Sequence, residues 1–94
     1  MGENPPLQLK LFVSTYALSS TRAIRNLTSL MEECFPANYH LDIIDIKDQP
    51  LLAISENITA LPLLIKTAPE PCRRMIGDMS DRLKVLTGLR TTLN

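Results

Sequence analysis

Few side chains in this 94-residue chain have the type or the spacing that catalysis needs. Two cysteines, Cys34 and Cys72, stand far apart without metal-ligand spacing, and the single histidine, His40, cannot build a histidine metal site alone. Dithiol chemistry needs an activated cysteine, normally in Cys-x-x-Cys, at the first strand-to-helix turn. That turn reads Ser14-Thr15-Tyr16-Ala17-Leu18-Ser19, so a dithiol mechanism is excluded. Cys34 falls on the apolar stripe of a helix and reads as core. Cys72 precedes Arg73 and Arg74, cations of the kind that activate a thiol, which leaves a thiol-based redox or stress sensor as one reading. Asp42, Asp45 and Asp48 recur at three-residue intervals and could suggest Mg²⁺, but along a strand Asp42 and Asp45 point to opposite faces. Asp45 and Asp48 therefore read as strand-end and cap residues. His40 has no carboxylate–nucleophile pair near it in sequence and reads as a surface strand residue. No catalytic residue, metal or cofactor is expected, and the chain reads as a non-enzyme.

Ten basic and ten acidic residues cancel, which removes the electrostatic case for nucleic acid or a membrane surface. No apolar run approaches a transmembrane span, and no charged-then-apolar leader opens the chain, so a cytoplasmic protein is expected. Zero net charge also weakens repulsion between copies and eases self-association to a dimer or tetramer. Arg22 and Arg25, with one of Arg73 or Arg74, could meet an acidic partner surface; the last two alternate across a strand and cannot share a patch.

The elements that must position these groups begin after a frayed leader at residues 1–6, and residues 7–94 form one domain. Leu7-Gln8-Leu9-Lys10-Leu11-Phe12-Val13 alternates and then turns wholly apolar, a strand covered on one face and then on both. Ser19 or Ser20 can cap a helix in which Ala23, Ile24, Leu27, Leu30, Met31 and Cys34 make one stripe, ended by Phe35-Pro36. Tyr39 to Ile46 is a second strand, with Leu41, Ile43, Ile44 and Ile46 in the core. Pro50 starts a short helix through Ile54. Leu63-Leu64-Ile65 after Pro62, the Pro69-Glu70-Pro71 turn and Arg73 to Ile76 make a hairpin, closed by Gly77-Asp78. X–Pro bonds such as the one at Pro62 are where cis peptides occur.

Residues 80–89 support two secondary structures. Ser80 and Asp81 are helix openers, and Leu83, Leu86, Leu89 and Leu93 lie along one helical stripe. Yet Leu83, Val85, Thr87 and Leu89 also alternate at period two, and Gly88 weakens a helix interior. With a helix there, the order is βαβαββα, an α/β thioredoxin-like arrangement.

LKLFVS, Arg22-Ala23, DIIDI with Pro50, ALPLL and above all RRMIGDMSDRLKVLTGL together resemble the KaiB family of clock proteins over roughly Leu9 to Leu89. The resemblance implies a metamorphic protein with two folds. One is βαββααβ and assembles into tetramers; the other is a thioredoxin-like monomer that binds the ATPase ring of KaiC and, in cyanobacteria, helps sequester KaiA. A thioredoxin-like sensor domain of a histidine kinase is a further relative, which leaves a sensor module for a separate kinase as another reading. By position, Gly77, Asp78 and Gly88 match signature residues of the part that changes structure, Pro62 matches the proline before the third strand, and Arg22 matches an arginine associated with partner contacts. Three residues depart from the family pattern. Asp42 replaces a lysine on the strand edge implicated in KaiC binding, His40 replaces a small residue beside it, and Arg90 replaces an aspartate. A cation at the end of a helix suits its dipole, so Arg90 implies a larger thioredoxin-like fraction than in the usual clock member.

Overall fold

The computed structural model describes residues 5–90. Most of the leader expected at residues 1–6, and Leu93 of the expected stripe, lie outside them. The element order is β1 (Leu7–Val13), α1 (Leu18–Cys34), β2 (Tyr39–Asp45), α2 (Pro50–Ser55), β3 (Leu63–Ala68), β4 (Arg73–Ile76) and α3 (Arg82–Leu89). One four-stranded sheet runs β2-β1-β3-β4, with β2 parallel to β1 and the other neighbours antiparallel. This is the thioredoxin-like order expected from the sequence.

β1 sits inside the sheet, which explains why its sequence ends in an unbroken apolar run. Leu7, Leu9, Leu11 and Val13 pack with Ala23, Leu27, Leu30 and Met31 of α1 and with Met79, Val85 and Leu89. Phe12 turns to the opposite face and joins Leu63 and Ile65, against which Ile44, Ile46, Leu52, Ile58 and Leu61 pack. Thus α1 and α3 cover one face and α2 the other. A register shift between Gln8 and Leu9 sets Lys66 opposite Leu9, with Leu64 two residues away on the same face.

Four expectations need correction. Neither Ser19 nor Ser20 caps α1: Ala17 is the cap residue, without a side-chain bond, and the buried Ser20 Oγ accepts the Ser14 N–H at 2.9 Å. Ser20 therefore fastens the β1–α1 loop instead of the helix end. β2 stops at Asp45, and Ile43 is 46% exposed, because β2 is an edge strand with little above it. Asp48 caps nothing; Gln49 is the cap residue of α2, without a side-chain bond, and Asp48 pairs with Lys47 Nζ at 3.3 Å. In α3 the buried residues are Val85 and Leu89, while Leu83 is 75% exposed. The leucine stripe fails because α3 docks through Val85, which brings Leu89, one turn on, to the same face.

Leu27 is completely buried at the centre of α1's contact with the sheet. Leu27→Ala is expected to cost about 2–5 kcal/mol of folding stability. The urea midpoint, with an unchanged m-value, measures it; a loss below ~1 kcal/mol would mean that α1 does not organise this core.

Candidate functional site

The residues singled out in the C-terminal part converge on one end of the sheet. β4 runs parallel to β1, so Ile76 at its end, the β1–α1 loop and the start of α1 lie at the same edge. Gly77 has φ +128°, which favours a residue without a side chain, and its N–H donates to Pro62 O at 3.0 Å. The Leu61–Pro62 bond is cis. Met79 has φ 63°, a backbone that costs a residue other than glycine ~1–2 kcal/mol, yet it is buried in the main core. A shallow cleft of about 120 Å³ opens beside this turn, lined from Met75 to Asp81 and by Lys84 and Val85.

Asp78 organises the turn. Its Oδ1 accepts the Ser80 N–H at 3.0 Å, and its backbone carbonyl accepts from Asn26 Nδ2 at 2.9 Å. Hydrogen bonding by Ser80 holds the carboxyl below its ordinary range; desolvation opposes this, and the charge of Arg22 on α1 adds to it. The structure therefore brings together Arg22, Gly77, Asp78 and, through Pro62 O, the third strand. Asp81 then caps α3, its Oδ1 accepting the Lys84 N–H at 3.1 Å.

Gly88 and Arg90 fix the far end of α3. A Cβ on Gly88 would lie 2.8 Å from Met75 Sδ, so glycine permits the close approach of α3 to β4. Arg90 follows the last helical residue, and its guanidinium carbon stands 5.5 Å from the centre of the Phe35 ring. Arg82 Nη2 pairs with Glu33 Oε1 at 2.6 Å. Sequence reasoning missed Asn26, Glu33 and Phe35; these contacts reach across the chain, and no local spacing announces them.

The other candidates are dispersed. Arg73 and Arg74 alternate as expected, and Arg74 Nη2 donates to Glu56 O at 2.7 Å beyond the end of α2. Arg73 pairs in register with Lys66 at the opposite end of β4 from Arg22, so the four arginines do not form one patch. Arg25 is exposed on α1. His40 and Asp42 lie together on the outer strand, Nε2 to Oδ1 3.1 Å, with Asp42 beside Lys10 of β1. Asp45 serves the strand end as expected, accepting the Thr15 N–H at 3.1 Å and the Lys47 N–H at 2.8 Å. Cys34 is half-buried against the core; Cys72 is exposed, its Sγ 3.4 Å from Thr67 O. Two further residues were missed: Tyr16 in the β1–α1 loop, 85% exposed, and Leu18 at the start of α1, 65% exposed, turn large apolar side chains to water. No helix among the described residues is long and apolar enough to cross a membrane.

Comparison with known proteins agrees with this geometry. A family profile described as the KaiB domain matches residues 10–91. The circadian clock oscillator protein KaiB of Microcystis aeruginosa is 46% identical over 86% of this chain and 78% of its own length. That of Prochlorococcus marinus strain MIT 9312 is 47% identical over 86% of this chain and 77% of its own. Among solved structures, the N-terminal domain of Synechococcus elongatus SasA superposes with a TM-score of 0.76 at 23% identity, covering 100% of this chain and 92% of that domain. Mitochondrial thioredoxin 3 of Saccharomyces cerevisiae gives 0.74 at 17% identity over 93% of this chain and 79% of its own. Both share the fold.

Two titrations follow. Because the folded pKa of Asp78 is depressed, its contribution is present above the ordinary value near 3.8 and is lost as pH falls through the folded value. The stability gap between wild type and Asp78→Asn should therefore be widest at neutral pH and close in acid; a pH-independent gap in urea titrations refutes the assignment. Lys66 is 1% exposed, and burial, helped by the charge of Arg73 and opposed by Cys72, lowers its pKa. A base with a depressed folded pKa binds fewer protons folded than unfolded, so stability rises with pH from that value up to about 10.5. Lys66→Met should be more stable at neutral pH and lack this alkaline rise; a loss of stability in the variant would show that the ammonium is well satisfied.

Proposed function

The chain belongs to the KaiB family, and from that premise we propose a non-enzymatic regulator that binds a KaiC-type ATPase by selecting one of two folds of residues 80–89. The setting is circadian timing or a reduced Kai system for stress adaptation, and KaiA is a further partner by family. The observation that carries the reading is the spacing of the two residues that anchor α3. Val85 and Leu89 are four apart, and four residues are one helical turn and also an even number of strand steps. The same two side chains thus face a core whether the backbone is coiled or extended. In a strand, Leu83 and Thr87 would join them on that face, and Leu83 is the large apolar residue that the helix leaves in water.

What surrounds the helix supports a switch. α3 has eight residues, too few to persist without tertiary contacts. Its ties to α1 and the residue after it, Arg82 with Glu33 and Arg90 over the half-buried Phe35 ring, run through exposed charged groups and are each worth ~1 kcal/mol or less. Met79 adds backbone strain at the entry. Two packings that differ by a few kcal/mol can be exchanged by a partner that binds only one, with its apparent affinity scaled by the competent fraction. A thiol-based sensor acting through Cys72, or a sensor module for a separate histidine kinase, ranks below this reading: a lone exposed cysteine and a shared fold carry neither.

Co-elution with a KaiC-type hexamer in ATP tests the partner, and backbone chemical shifts over Ser80 to Leu89 test the switch. Arg90→Asp removes the contact with Phe35 and puts an anion at the helix C-terminus, so it should lower the ratio of helical to extended form about tenfold and weaken hexamer binding in step. A spectrum that keeps one secondary structure in wild type, variant and complex ends the proposal.

A further inference from the structure

One sulfur atom stands between α3 and the sheet. Met75 of β4 lies in register with the fully buried Leu64 of β3, and it packs against the main core from the edge of the sheet. A Cβ on Gly88 would lie 2.8 Å from its Sδ and 3.2 Å from its Cε, so the thioether rests directly on the helix backbone. Yet the same side chain lines the open cleft beside the Gly77 turn and is only half-buried. Met31 and Met79, by contrast, are 0% and 4% exposed. Of the three described methionines, Met75 is the one that both meets solvent and supports a helix.

We propose that Met75 is a site of reversible oxidation by a hydroperoxide, and that its sulfoxide releases α3 from β4. The sulfur attacks the terminal oxygen of the peroxide. An S–O bond forms, the O–O bond breaks, and the proton of the attacked oxygen passes to the departing one. The thioether is oxidised to a sulfoxide, and the hydroperoxide is reduced to water or an alcohol. The product is larger by one oxygen and polar where the thioether was apolar. On the helix side it finds no room, because even a Cβ on residue 88 would be too close to the sulfur. Turned toward the cleft, it brings a strong acceptor and its water beside Val85, one of the two buried anchors of α3. A helix of eight residues cannot persist once that packing is lost. Cys72 is the more exposed sulfur, but it lies in the turn before β4, with Sγ 3.4 Å from Thr67 O.

Release of α3 is a property of the isolated chain, whether or not residues 80–89 ever become a strand, and its test needs no ATPase. The full chain is treated with hydrogen peroxide, mapped by peptide mass and followed by amide exchange. Met75 should gain an oxygen before Met31 and Met79. In that species the Val85 and Leu89 amides should exchange about tenfold faster, while those of Leu27 and Leu30 keep their protection. The two stereospecific methionine sulfoxide reductases, used together, should reverse both changes. Met75→Leu conserves volume and keeps both cysteines, so its α3 amides should exchange alike with and without peroxide. Met75→Gln puts a polar side chain of similar length there and should show the faster exchange with no oxidant; circular dichroism checks that each variant folds. Oxidation of Met31 or Met79 ahead of Met75, unchanged α3 exchange in the sulfoxide or in Met75→Gln, or a peroxide response that survives Met75→Leu would each overturn the proposal. So would an equal loss of protection in α1, because the whole core and not α3 would then have opened.

Discussion

Burial of Met79, Val85 and Leu89 against α1 and β1 is the contact on which the shape of the C-terminal half depends. β4 is a short edge strand, and α3 has no length to sustain itself. What holds the segment is three apolar side chains entering a surface built by Leu9, Leu11, Leu27 and Leu30 from the first third of the chain. Each such burial is worth ~1.5–3 kcal/mol, several times an exposed ion pair. Gly77 and Gly88 then let the segment reach that surface, one by its backbone angle and the other by leaving room for Met75.

Much of this was legible because the strongest elements are periodic. β1 and α1 carry patterns that need no partner to be read, and their limits followed from Pro36 and from the alternation after Leu7. Prolines and Gly77 marked the hairpin for the same local reason. The failures share a cause. Ser20 was assigned to the helix it opens, whereas its hydroxyl serves the loop behind it. Ile43 was placed inside because apolar strands are usually covered, and only the strand order shows β2 at an edge. The leucine stripe of α3 counted hydrophobicity without knowing the docking face. In the candidate site, Asp78, Gly77 and Arg22 were found by motif, but their partners Asn26 and Pro62 O are tertiary facts.

The chemistry of the surface fits the proposed role in association. The position that carries cysteines in a dithiol enzyme holds Tyr16, Ala17 and Leu18, and two of these project into water. Carboxylates that recur in sequence are spent on structure, Asp45 on two N–H groups, Asp78 on a turn and Asp81 on a helix cap. What remains available is backbone at the β2 edge and apolar side chains at loop and helix positions. Those are the materials of an interface.

The distribution of these materials gives the last constraint. β1, β2 and α1 form the part of the molecule whose pattern admits one secondary structure, and the β2 edge belongs to it. Residues 80–89 admit two, and they dock on the side of the sheet away from β2, next to β4. A contact at the β2 edge is therefore remote from that segment, whereas a contact at the turn around Gly77 and Asp78 lies directly beside it. Two partners that chose these two surfaces would be read differently by the chain. On the proposed switching mechanism, the first would add to whichever fold is present, and the second would decide between them. A regulator of the kind proposed, which must distinguish holding from switching, would need that separation, and the sheet supplies it by placing the periodically unambiguous strand and the ambiguous segment at opposite edges.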